Sequence, residues 1–312
     1  LSIAMPANSS DPGAGAPSGR RRLEDALKHL HESEYAQTPA TAASLAGAVG
    51  IPLNDASELA GELAAAGLTG SAGGTLVLTD SGREQARQIV RAHRIYETYL
   101  ARETGIASEE WHRRADDAEH HLSSEAVDAL ADRLGRPRYD PHGDPIPTRE
   151  GTLPPRRGTP LLEAREGSNV QVIHLEDEPE GVYRRAAALG VVAGSRLHLL
   201  TRGAGFLRVR LENRESDLPL AVAGAIQVEA CEPSPPMRPL SSLRQGEAAK
   251  VLNLSPSIIG GERRRMLDLG LVPGTRVERD FDSMLGSPTA YRIRGATIAL
   301  RREQADRIFV EA

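Results

Sequence analysis

The chain repeats itself. Residues 160–200 run from PLLEAREGSNVQVIHL to RRAAALGVVAGSRLHLL, and residues 239–280 run from PLSSLRQGEAAKVLNL to RRMLDLGLVPGTRVERD. The opening blocks are offset by 79 residues, and the later blocks, starting at Arg184 and Arg264, by 80. One residue is therefore inserted between the two blocks. Both copies continue as short alternating apolar and polar stretches and finish alike, on Ala225-Ile-Gln-Val-Glu-Ala230 and Arg307-Ile-Phe-Val-Glu-Ala312. Self-similarity at this period, with side chains alternating in and out, predicts two tandem small β-barrels over 161–232 and 237–312.

The N-terminal half reads differently. Helical patterns cover 21–35, 40–48 and 54–66, the last stopping at Gly67. Leu68-Thr69 and Thr75–Thr79 flank Gly70-Ser-Ala-Gly-Gly74 and read as a hairpin with a flexible tip. Three helices and a hairpin are the parts of a winged helix-turn-helix, placed at 21–80. A long helix starts near Asp80, whose side chain is suited to cap it, and runs to about Glu103. Two more helices, after Ser108 and over 124–134, complete an all-helical domain at 81–136. Residues 137–160 hold many prolines and read as a linker. The expected architecture is multidomain α+β. Residues 1–20, rich in Ser, Pro, Gly and Ala, read as a disordered arm without the apolar core of a signal peptide, and translation is expected to start at Met5.

Composition narrows the function. A formal net charge of −5 gives no global attraction to nucleic acid or anionic membrane. One cysteine, Cys231, excludes an internal disulfide framework and suits a cytoplasmic protein. No apolar run reaches the ~18–20 residues of a membrane span, so no membrane insertion is expected. Phosphate loops, a Gly-x-Ser-x-Gly elbow and a Cys–His pair are missing, which argues against an enzyme.

Metal chemistry is concentrated in one stretch. His112, Asp116, Glu119 and His120 fall at i, i+4, i+7 and i+8, within roughly a 100° arc of a helix. They edge an apolar stripe of Trp111, Ala115, Ala118 and Leu122. His93 and Glu97 form a second i, i+4 pair, sharing a face with Ile89, Tyr96 and Leu100. Taken singly, His93 reads as a hydrogen-bonded core histidine and Glu97 as half of an ion pair. Taken together, six N/O donors on neighbouring antiparallel helices point to a divalent metal. Imidazole with carboxylate favours Mn(II) or Fe(II), with Zn(II) or Co(II) as alternatives, over Cu(I).

The spacing His93-x3-Glu97, then His112-x3-Asp116-x2-Glu119-His120-His-Leu-Ser, then Pro141-His-Gly-Asp-Pro-Ile-Pro147, resembles the metal-dependent repressors of the diphtheria toxin repressor and manganese transport regulator family. The resemblance covers roughly 21–147. It implies that His93, Glu97, His112, Asp116, Glu119 and His120 bind the activating ion, joined by Asp25 from the first helix. A second first-helix ligand of manganese-type members falls near Lys28, which cannot ligate while protonated, and Asp116 stands where the family has Cys or Glu. The repeats resemble FeoA-type SH3-like domains, on Arg264–Thr275 and its copy at 184–195. Such a domain lends an extra ligand in some members, for which Glu178 and Glu180 are candidates beside the simpler reading of a solvated acidic loop.

DNA contact is less well provided for. Between Lys28 and Arg83 there is no lysine or arginine, whereas Glu32, Glu34, Asp55, Glu58, Glu62 and Asp80 are all acidic. Phosphates are held mainly by Lys and Arg. The candidate contacts are Arg20, Arg21 and Arg22 with Asn54 and Ser57 of the expected recognition helix. Two readings follow: a homodimeric, metal-activated repressor of metal-uptake genes that binds operator DNA, or a metal-binding adaptor of iron transport that acts on a protein partner through its FeoA-like domains.

Overall fold

The computed structural model describes residues 19–155, 157–282 and 287–312; most of the expected N-terminal arm, and Met5 with it, lies outside them. The chain divides into two compact units. Of the described residues, the first takes 19–99, 111–140 and 145–155, and the second 100–110, 141–144, 157–282 and 287–312.

The first unit begins with α1 (Gly19–Ala36), α2 (Ala42–Val49) and α3 (Leu53–Ala65), then β1 (Thr69–Ala72) and β2 (Thr75–Leu78). Thr41 and Ser44 cap α2 reciprocally, and Gly50 ends it in the left-handed conformation. The wing is tighter than a flexible five-residue tip. Ser71 and Ala72 pair with Leu76 and Thr75, so the turn is Gly73-Gly74 alone. Both glycines have positive φ, as a two-residue hairpin turn requires. Leu27, Leu30, Leu45, Leu59, Leu63 and Leu78 form the core of this winged helix.

The long helix α4 (Asp80–Glu103) follows, with α5 (Trp111–Glu119) and α6 (Ser124–Arg133). Its cap is Thr79 rather than Asp80: Thr79 Oγ1 accepts from Gly82 N at 3.1 Å, while Asp80 pairs with Arg83. Gly82 is required there, because a Cβ would lie 2.0 Å from the Leu68 carbonyl oxygen. Ala92, Ile95, Val127, Leu130, Leu134 and Ile146 make the helical core. Ile146 belongs to the proline-rich stretch, which does not behave as a free linker. Arg94 donates to Pro145 O at 2.7 Å and Arg91 to Pro147 O at 2.8 Å. Proline's missing N–H leaves its carbonyl as the group to satisfy, and two arginines of α4, Arg94 buried and Arg91 half-buried, satisfy it.

In the second unit the repeat becomes a repeated topology. The first copy holds β3 (Thr159–Pro160), β4 (Asn169–Leu175), α7 (Glu180–Ala188), β5 (Arg196–Arg202), β6 (Phe206–Leu211), β7 (Arg214–Pro219), α8 (Leu220–Gly224) and β8 (Ile226–Ala230). The second holds β9 (Met237–Pro239), β10 (Ala248–Leu254), α9 (Gly260–Asp268), β11 (Arg276–Asp282), β12 (Thr289–Ile293), β13 (Ala296–Leu300), α10 (Arg302–Ala305) and β14 (Ile308–Glu311). The sheet orders correspond strand for strand: β3-β8-β4-β5-β6-β7 and β9-β14-β10-β11-β12-β13. Matching bulges fall between Val172 and His174 and between Val251 and Asn253. Each bulge bends its strand and so helps curl the sheet over its own core. Residues 141–144 lie along the first copy, where Leu175 N donates to His142 O at 2.9 Å. Among the described residues no helix is long and apolar enough to cross a membrane.

Candidate metal centre

Three helices of the first unit supply the donors. In α5, Trp111, Ala115 and Ala118 are buried, and the small alanines let the helix approach its neighbours. His112, Asp116 and Glu119 flank that stripe, and His120 follows in the turn after the helix. His93 and Glu97, one turn apart on α4, are both buried. On α1, Ala26, Leu27 and Leu30 are buried, and the same helix brings Lys28 to Asp116 and Asp25 to His120.

The donors meet in three overlapping trios, within each of which the ligand atoms lie within 4.8 Å of one another: His93, Glu97 and His112; His93, Asp116 and Glu119; Asp25, Glu119 and His120. In the first, Glu97 Oε1 is 3.2 Å from His93 Nε2 and 3.5 Å from His112 Nδ1. Donors held ~2.0–2.2 Å from one ion stand roughly 3–3.5 Å apart, so this trio already has the spacing of ligands sharing a metal. In the third, His120 Nε2 is 3.1 Å from Asp25 Oδ1 and 3.8 Å from Glu119 Oε1. Glu119 Oε1 is buried and accepts no hydrogen bond. A buried carboxylate oxygen in that state is costly, and a divalent ion is the group that relieves it. The residues fit a metal at both places.

The middle trio already holds a cation. Lys28 Nζ lies 2.7 Å from Asp116 Oδ1, 3.2 Å from Glu119 Oε2 and 2.9 Å from His93 Nδ1. Burial presses this ammonium toward neutrality, but Glu119 and Asp116 outweigh it and hold the pKa above the ordinary lysine value. Conversely, burial raises the Asp116 carboxyl while Lys28, His93 and His112 lower it further, leaving it below the usual carboxylate range. His93 is pulled both ways: burial and Lys28 lower its pKa, Glu97 and Glu119 raise it, and the carboxylates prevail at about 9.

One residue at this candidate site escaped the sequence reading. Glu24 Oε2 lies 2.6 Å from His120 Nδ1 and orients that imidazole so that Nε2 faces Asp25 and Glu119. The available signal was its place next to Asp25, one turn before Lys28. Glu180 stands in the first turn of α7, in the second unit, exposed and 3.6 Å from Arg184; no described donor cluster includes it. Glu178 precedes that helix. Of the candidate DNA contacts, Arg20 pairs with Glu24 at 2.7 Å and Arg21 with Asp117 at 3.0 Å, while Arg22 is half-buried. Asn54 and Ser57 are exposed on α3, with Ser57 Oγ donating to Leu53 O.

Known proteins share this organisation. The iron dependent repressor metal binding and dimerisation domain matches residues 79–148, and the FeoA domain matches both 159–230 and 238–312. The iron-dependent repressor IdeR of Mycobacterium leprae is 31% identical over 171 residues, which are 49% of this chain and 73% of that protein. A probable metal transport system membrane protein of Chlamydia trachomatis is 42% identical over 72 residues, 23% of this chain but only 16% of its own length. Among solved structures, a manganese-dependent transcriptional repressor in complex with manganese superimposes with a TM-score of 0.62 at 33% identity, over 67% of this chain and 100% of that one. IdeR of T. acidophilum gives 0.56 at 25% identity, over 67% of this chain and 97% of that one. The chain belongs to the iron-dependent repressor family.

Proposed function

We propose that this protein is a divalent-metal-sensing, DNA-binding transcriptional regulator, a repressor of metal-uptake genes that works as a homodimer through its helical domain in the cytoplasm. One observation carries the reading: the donors come from α1 of the winged helix and from α4 and α5 of the helical domain, and they converge. A bound ion would join the reading head to the dimerisation helices, and its binding energy would order that junction. The ligands are His93, Glu97 and His112 at one place and Asp25, Glu119 and His120 at the other. A set of imidazoles and carboxylates without thiolate suits Mn(II) or Fe(II), with Zn(II) or Co(II) also accepted. The metal's role is to link and order, and no substrate chemistry is assigned to it.

The deciding experiment is a mobility-shift assay on the chain's own upstream DNA at modest salt, with Mn(II) or Fe(II) and with chelator. A shift that appears with metal and vanishes with chelator is expected. A metal-saturated protein that never shifts that DNA would sink the repressor reading. The adaptor reading would then take its place, and exposed Asp55 and Glu58 on α3 are what favour it. Kinship with repressors favours DNA.

A further inference from the structure

We propose that the Lys28 ammonium is a built-in cation that permanently takes the place of a divalent ion between His93, Asp116 and Glu119, so that the centre loads one ion fewer than its donors could hold. The inference rests on the metal-sensing reading and deepens it.

His93, Asp116 and Glu119 form a donor trio as compact as the two on either side of it. The lysine nitrogen lies within hydrogen-bond range of one donor atom from each of the three, at 2.9, 2.7 and 3.2 Å. An ammonium has no lone pair to ligate with, so a metal and Lys28 Nζ exclude one another at this point. The side chain is 11% exposed and reaches the trio from α1, which is held by buried Ala26, Leu27, Leu30 and His31. It has little room to swing aside, and moving it would strip Asp116 and Glu119 of their counter-charge in a buried setting.

The neighbouring trios stay usable because they draw on other atoms. His93 offers Nε2 to Glu97 and His112, and Glu119 offers Oε1 to Asp25 and His120. The ammonium also does mechanically part of what an ion would do. It ties α1 to α5 through Asp116 and Glu119. Part of the link between the winged helix and the helical domain is thus present before any metal arrives.

The test counts ions on the full chain. Wild type, Lys28→Gln, Lys28→Met and the charge-retaining Lys28→Arg are dialysed to saturation against Mn(II), and bound manganese per chain is measured by mass spectrometry. Gln and Met variants are expected to hold one more ion than wild type, and Lys28→Arg no more than wild type. A second readout separates a metal surrogate from an ordinary ion pair. The Gln and Met variants should melt below wild type in chelator and recover that deficit in Mn(II), whereas loss of a plain structural pair leaves the deficit in both. Equal, non-zero ion counts in wild type and both neutral variants would overturn the proposal while leaving metal sensing intact. A wild type that binds no Mn(II), Fe(II) or Zn(II) would instead sink metal sensing, and an ion gained only in the Gln and Met variants would still uphold the role of Lys28.

Discussion

His93 Nδ1 lies 2.6 Å from Glu119 Oε2, and this contact decides which nitrogen of the imidazole serves as ligand. With Nδ1–H directed at the carboxylate, Nε2 is left facing Glu97 Oε1 at 3.2 Å. His120 repeats the arrangement, its Nδ1 held by Glu24 at 2.6 Å. Carboxylates that hold the far nitrogen of a ligand histidine fix its tautomer and raise its basicity. Glu24→Ala should therefore weaken Mn(II) binding by ~10–100-fold while removing no ligand. Titration calorimetry on wild type and variant checks this, and equal affinities would deny Glu24 its orienting part.

Ligands and bystanders separate within three consecutive residues. Glu119 is buried and His120 faces Asp25, while His121 is exposed. Mn(II) or Fe(II) should raise the melting temperature of wild type by mass action on the folded state. Glu119→Ala and His120→Ala should each lose most of that rise, and His121→Ala should keep it. Differential scanning fluorimetry with and without metal reads all three.

Acid should weaken metal binding from a higher pH than an ordinary imidazole implies. From the sequence, binding is expected to fade below about pH 6, near the unperturbed histidine value. His93 instead titrates at about 9, since Glu97 and Glu119 outweigh burial and Lys28. An ion needs the neutral ring, so proton and metal compete on Nε2 throughout the range below that value. The affinity should fall with pH from about 9 downward, and loading at pH 7 should release about one proton per ion. Calorimetry in buffers of different ionisation enthalpy measures that proton; zero release would contradict the assignment. In chelator the sign reverses for stability. The raised His93 pKa stabilises the fold fully below ~6.5, and that contribution is lost as pH rises through about 9.

His31 gives a pH effect independent of metal. Its burial in α1, with Arg94 and Arg87 nearby, lowers its pKa to about 4. The native state then binds fewer protons than the unfolded chain between that value and ~6.5. Stability should be unaffected by this group above ~6.5 and should decline as pH falls toward 4, by about 3 kcal/mol in all. The difference in melting temperature between wild type and His31→Gln, followed from pH 7 to pH 4, should shift steadily against wild type. A constant difference would show that His31 does not titrate with folding.

DNA affinity should depend only weakly on salt for a winged helix. Each phosphate neutralised contributes about −0.9 to the slope of log K against log salt. Arg20 and Arg21 are tied to Glu24 and Asp117, and α3 presents Asn54, Asp55, Ser57 and Glu58. Asp117→Asn removes one carboxylate charge from beside Arg21 and should steepen the slope, by at most about one per protomer. Mobility shifts between low and moderate salt give both slopes, and an unchanged slope would remove Arg21 from the interface.

Local rules in the chain were enough for much of this protein. The repeat forecast one sheet order used twice, because alternation decides which face each strand buries and that pattern recurs. Glycines at equivalent places, Gly190 and Gly270, end α7 and α9 with positive φ, a backbone requirement readable from one position at a time. Helical periodicity likewise placed His93 with Glu97 and His112 with Asp116 and Glu119, since spacing alone puts them on common faces.

Contacts between elements had to come from the tertiary structure. Lys28, disqualified as a ligand by its charge, turned out to sit among the ligands, because buried Ala26, Leu27 and Leu30 set how α1 packs and carry the ammonium to Asp116. The same packing brought Glu24 to His120, while the packing of α5 on α4 brought Glu119 to His93 and left its Nε2 facing Glu97. Likewise, the proline-rich stretch became part of the helical core once Arg91 and Arg94 found its carbonyls. Periodicity records which face a residue occupies. What that face meets depends on packing between segments that can lie 96 residues apart, as Glu24 and His120 do, and no local pattern in the chain encodes that meeting.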